Sequence, residues 1–88
     1  MKLIIAVIRD EDRETVSSAL VKADFRVTRI ASTGGFLRRG STTLMIGVAE
    51  EKLDEAFQII RTNCSANLEE GSKRATLFVI NISNFEQI

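Results

Sequence analysis

Apolar residues recur along this chain in two different periods, and the switches between them mark out its elements. Residues Lys2 to Arg9 (KLIIAVIR) form a β-branched-rich run, the signature of a strand. Asp10, Glu11 and Asp12 follow, an acidic cluster suited to a helix start, with Asp10 in the N-cap position. Val16, Ala19, Leu20 and Ala23 then fall at i, i+3, i+4 and i+7, which predicts one apolar helical stripe ending near Asp24. A second strand is predicted from about Phe25 to Thr33, and a third from about Thr42 to Val48. Leu53, Ala56, Phe57, Ile60 and Cys64 trace the face of a second helix that begins near Ala49 or Glu50. The polar stretch Ser65 to Lys73 reads as a loop, and Arg74 to Ile82 as a fourth strand. The order β-α-β-β-α-β predicts an α+β, ferredoxin-like sandwich with two helices on one face of an antiparallel sheet.

The strand pattern carries a second message. A sheet covered by helices on one face and by water on the other should alternate apolar and polar positions. The first strand does not: Leu3, Ile5 and Val7 point one way, Ile4, Ala6 and Ile8 the other. The fourth behaves similarly, with Leu77 and Val79 opposed to Phe78 and Ile80. A sheet apolar on both faces needs cover, and a second copy of the chain is the expected cover.

Length and charge narrow the picture. Eighty-eight residues make one domain, residues 1–88. A domain of this size buries only about 60–65% of its unfolded surface, so assembly would add useful burial. A single cysteine, Cys64, excludes an internal disulfide and fits a reducing compartment. Lys2 leads straight into a short apolar run, so neither a leader nor a membrane span is expected, and the expected location is cytoplasmic. Formal net charge is zero, which argues against bulk attraction to nucleic acid or membrane. The charge is unevenly placed, however. No acidic residue occurs between Asp24 and Glu50, while Arg26, Arg29, Arg38 and Arg39 all lie there.

That basic middle surrounds the stretch Ser32-Thr33-Gly34-Gly35-Phe36-Leu37-Arg38-Arg39-Gly40-Ser41-Thr42-Thr43. Glycines let backbone approach a ligand and supply N–H groups for an anion nest. Arginine offers a planar fork of donors that suits phosphate, and Phe36 a face for a base. The stretch lacks the Gly-Lys-Ser/Thr of a phosphate loop and leads into a strand rather than a helix. Catalysis finds little support elsewhere. There is no histidine, hence no imidazole base, no His-containing metal site and no Ser/His/Asp or Cys/His triad. The third strand carries no aromatic residue for base stacking, unlike an RNA-recognition domain. Cys64, Phe25, Phe57, Phe78 and Phe85 read as packing residues.

The run Met1-Lys2-Leu3-Ile4-Ile5-Ala6-Val7, the segment Phe25-Arg26-Val27-Thr28 and the motif Thr33-Gly34-Gly35-Phe36-Leu37-Arg38 through Gly40-Ser41-Thr42-Thr43 and Gly47-Val48 resemble the PII-like cyclic di-AMP receptors, the DarA and PstA group. The resemblance extends to Lys52-Leu53-Asp54-Glu55 and to Ala75-Thr76-Leu77-Phe78-Val79 with Phe85. It implies a homotrimer of ferredoxin-like subunits that binds a cyclic dinucleotide in clefts between subunits. It further implies no catalysis; the expected output is contact with a partner protein, and no metal or other cofactor is expected. Carried over by matching position, Arg26 and Thr28 line the cleft, and Gly35, Phe36 and Leu37 lie against a base and the sugar-phosphate ring. Gly47 lets the ligand approach the third strand. Arg38 and Arg39 are added here as candidate phosphate contacts. Ser41 stands where the family usually has asparagine, and serine is shorter and less discriminating toward an adenine edge. The connection Ser65 to Lys73 is short, with Lys73-Arg74 in place of a usual glycine pair. In the family a longer loop here helps close the site. The alternative reading is therefore a PII-like trimer that serves as an interaction or structural protein without nucleotide.

Overall fold

The computed structural model describes residues 1–30, 40–64 and 75–83. The predicted loop at Ser65 to Lys73 and the tail with Phe85 lie outside those residues, as does most of the glycine-rich stretch. The elements follow the predicted order: β1 (Lys2–Arg9), α1 (Arg13–Lys22), β2 (Arg26–Ile30), β3 (Ser41–Val48), α2 (Leu53–Asn63) and β4 (Ala75–Asn81). Four strands form one antiparallel sheet in the order β2-β3-β1-β4. The two longest strands, β1 and β3, occupy its centre, which leaves β2 and β4 as edges.

Each helix is entered through a single 3-10 turn, at Asp10–Asp12 and at Glu50–Lys52. The acidic residues thus sit at the amino-terminal ends of both helical segments, where the backbone dipole favours them. The N-cap expectation for Asp10 is corrected. Arg9 occupies the cap position of the first turn, and no side chain caps it. The Asp10 carboxylate is engaged elsewhere, accepting a hydrogen bond from the Thr42 hydroxyl.

Directly paired residues on neighbouring strands share a face of the sheet. Ile4 pairs with Ile46 and with Val79, and Ala6 with Leu44 and with Leu77. This face meets the helices. Ile4, Ile8, Leu44 and Ile46 pack there against Val16 and Leu20 of α1 and Ile60 of α2, all essentially inaccessible to water. Each such side chain contributes about 1.5–3 kcal/mol by burial. Cys64, just past α2, joins this core as predicted. Lys2 pins one margin of the sheet, pairing with Glu50 at 3.4 Å and donating to the Asn81 side chain.

The opposite face carries no helix. Across it run rows set by the register: Arg26, Gly47, Leu3 and Ile80; then Thr28, Met45, Ile5 and Phe78; then Ile30, Thr43, Val7 and Thr76. Leu3, Ile5, Val7 and Met45 are only half-buried, and Phe78 and Ile80 are exposed at 54% and 45%. The two-faced apolar character expected of β1 and β4 is therefore real, and in one copy of the chain the second face lies open.

Candidate functional site

Arg26, Thr28 and Gly47 come together at one end of the open face. Strand alternation places Arg26 and Thr28 on the same side of β2, and the register sets Arg26 directly opposite Gly47. Both Arg26 and Thr28 are exposed. Among the described residues Arg26 enters no ion pair, whereas Arg29 turns to the helix side and binds Glu14 of α1 at 3.0 Å. The basic middle of the sequence is thus split by the sheet, with Arg26 facing the open side and Arg29 holding α1.

The space above Gly47 is taken by another side chain. A β-carbon at that position would lie 2.7 Å from the ε-methyl of Met1. Met1 is held over the strand by its carbonyl, which accepts the Ile82 amide at 3.0 Å. Close approach to β3, predicted for a ligand, is made in this structure by the thioether end of Met1.

Ser41 lies on the same face as Gly47 but at the other end of β3. Six residues of extended chain separate them, about 20 Å at 3.3–3.4 Å per residue. One copy of the chain therefore brings Arg26, Thr28 and Gly47 together and leaves Ser41 apart. Gly35, Phe36, Leu37, Arg38 and Arg39 lie outside the described residues. The segment that holds them leaves β2 at Ile30 and rejoins β3 through Gly40, so both its attachment points are at the Ser41 end of the sheet. Gly40 has φ of +80°, a left-handed conformation that only glycine adopts freely, so the motif glycine is required there by the backbone.

The register also places Arg9 opposite Ser41 at the end of the β1–β3 ladder. Along the sequence Arg9 stands in the acidic connection Arg9-Asp10-Glu11-Asp12-Arg13, a poor cradle for phosphate and far from the motif. Strand pairing was the only signal that could have joined the two. Its guanidinium pairs with Asp12 at 3.4 Å and Glu11 at 3.7 Å. No cluster of potential metal ligands occurs among the described residues. A depression between α2 and β4, lined by Phe57, Ile60, Arg61, Cys64, Ala75 and Leu77, belongs to the helix face and is separate from these residues.

The sequence profile of the cyclic-di-AMP receptor family matches residues 1–70, which include both groups of site residues and end before β4. The chain belongs to the cyclic-di-AMP receptor family. The crystal structure of a functionally unknown protein from Pediococcus pentosaceus ATCC 25745 is similar to it at 33% identity with a TM-score of 0.81. That match covers 99% of this chain and 96% of the other, so the likeness continues beyond the matched family segment. Within the matched segment the exposed Arg26 and Thr28 lie beside the bare backbone of Gly47, and Ser41 lies at the far end of the same strand. Among the described residues no helix is long and apolar enough to cross a membrane.

Proposed function

We propose that this protein is a signalling receptor that binds cyclic di-AMP at a site completed between copies of the chain. The observation that carries the reading is the division of the site residues. Arg26, Thr28 and Gly47 stand at one end of an open sheet face, and Ser41 with the attachment points of the glycine-rich segment stands at the other. A ligand that uses both groups is served by two copies brought side by side. The exposed apolar side chains of β4 supply a reason for copies to associate. A homotrimer satisfies both needs and agrees with the family resemblance. In it Arg26 pairs with a phosphate, Thr28 donates to the ring, and Phe36 and Leu37 cover a base. Arg38 and Arg39 add phosphate contacts. Ligand occupancy is then passed to a partner protein, with no chemical step.

Isothermal titration of the intact protein with cyclic di-AMP tests the reading. Saturable heat with one ligand per site is expected, and Arg26→Ala is expected to weaken binding by about tenfold or more, the scale of a lost charge-assisted hydrogen bond. An absence of heat at high micromolar protein and ligand removes cyclic di-AMP as the ligand. Ser41, in the place of the usual asparagine, favours one second reading: a trimer that acts as an interaction protein without nucleotide. A trimeric mass together with no thermal shift for any cyclic dinucleotide would select it.

A further inference from the structure

Ser41 is bracketed by two contacts to a single residue. The Asp10 amide donates to the Gly40 carbonyl at 2.8 Å, just before Ser41. The Asp10 carboxylate accepts from the Thr42 hydroxyl, just after Ser41. Thr42 is 5% exposed and points to the helix side, so its hydroxyl has been withdrawn from water and depends on that acceptor. Alternation along β3 then turns Ser41 to the open face. Gly40, in its left-handed conformation, makes the bend that brings its carbonyl to Asp10. Asp10 itself is fixed, since it opens the turn that leads into α1 and directly follows the last ladder pair, Arg9 with Ser41.

We infer that Asp10 is a positioning residue for the ligand site: it clamps both neighbours of Ser41 and so sets the direction in which the Ser41 hydroxyl is presented. Asp10 makes no contact with the ligand. Its carboxylate oxygen orders Thr42, its amide orders Gly40, and Ser41 is held between them. The inference rests on the cyclic di-AMP reading given above. It adds a residue that the motif does not contain, 31 positions upstream of Ser41 in a different element.

A double-mutant cycle tests it, with cyclic di-AMP affinity measured by titration and folding checked by thermal denaturation of each variant. Asp10→Ala is expected to weaken binding by about tenfold, and Asp10→Asn, which keeps an oxygen acceptor for Thr42, to stay within about threefold of the parent. Thr42→Val, of the same shape without the hydroxyl, is expected to weaken binding as Asp10→Ala does, and it serves where Asp10→Ala fails to fold. In a Ser41→Ala background the further effect of Asp10→Ala should shrink to less than about threefold, because the two residues act as one unit. Loss of the same size with and without Ser41, or parental affinity in both Asp10→Ala and Thr42→Val, overturns the inference while leaving the receptor reading in place. No binding by the parent protein overturns both.

Discussion

At the scale of single residues, glycine is used here for two separate reasons. Gly40 supplies a left-handed backbone, and nothing lies within 4 Å of the place its β-carbon would occupy. Gly47 has the reverse need: its backbone is ordinary, but the space above it is taken by the end of the Met1 side chain. A flexible thioether can move aside at small cost. Gly47→Ala should therefore change stability by less than about 1 kcal/mol, since a strand also gains from replacing glycine. Cyclic di-AMP affinity should fall at the same time, because a methyl group fills the close approach that Met1 would vacate for a ligand. Denaturant unfolding and ligand titration on the one variant check this. A large loss of stability, or unchanged affinity, contradicts the assignment of Gly47 to the site. The motif itself was legible in the sequence because its residue types are unusual together. The bond from Asp10 to Thr42 was not, since an aspartate before a helix looks like a cap whichever partner it takes.

At the scale of elements, the six segments were legible because their apolar periods differ, and the boundaries shifted by small amounts for local reasons. Both helices begin with a 3-10 turn instead of a capped α-helical turn. The joint between α1 and β2 shows what closes a helix when glycine is missing. The Phe25 amide bonds the Leu20 carbonyl and the Asp24 amide bonds the Val21 carbonyl, each at 3.0 Å. This is the Schellman pattern, with the buried side chains of Leu20 and Phe25 at its apolar contact positions. It requires a left-handed residue at position 24, and Asp24 takes φ of 72° there. A side chain in that conformation costs about 1–2 kcal/mol, while glycine loses about 0.5–1 kcal/mol more chain entropy on folding. Asp24→Gly should therefore stabilise the protein by roughly 0.5–1 kcal/mol, read as a higher denaturant midpoint with an unchanged slope. A lower midpoint would mean that the Asp24 carboxylate contributes something the backbone does not reveal.

At the scale of the whole molecule, the question is what the open sheet face does. On the helix face the side chains of β1, β3 and both helices close into one core. The open face ends in the edge strand β4, where Phe78 and Ile80 are exposed on that face and Val79 is exposed between them on the other. Natural edge strands are usually blunted with charge, as β2 is by Arg26 and Arg29, so the bare apolar edge of β4 is the surface on which the proposed assembly rests. The alternation in the sequence showed that cover was needed. It did not show that the candidate residues Arg26 and Thr28 would gather at the Gly47 end of that face, away from Ser41, because that depends on the register of β3 against β2. The proposed site between copies has one consequence: assembly and ligand binding should fail together. Phe78→Asp places a charge on the β4 edge of the open face, opposite Ile5, without touching the helix-side core. The folded single chain should tolerate it, so circular dichroism and a cooperative unfolding transition should persist. Light scattering should then give the mass of one chain, 9.8 kDa, in place of three. Cyclic di-AMP binding should be lost with the assembly, although position 78 lies on β4, away from Arg26 and Ser41. A monomeric variant that still binds with parental affinity would show that one copy holds the whole site, and an unchanged trimeric mass would show that some other surface joins the copies.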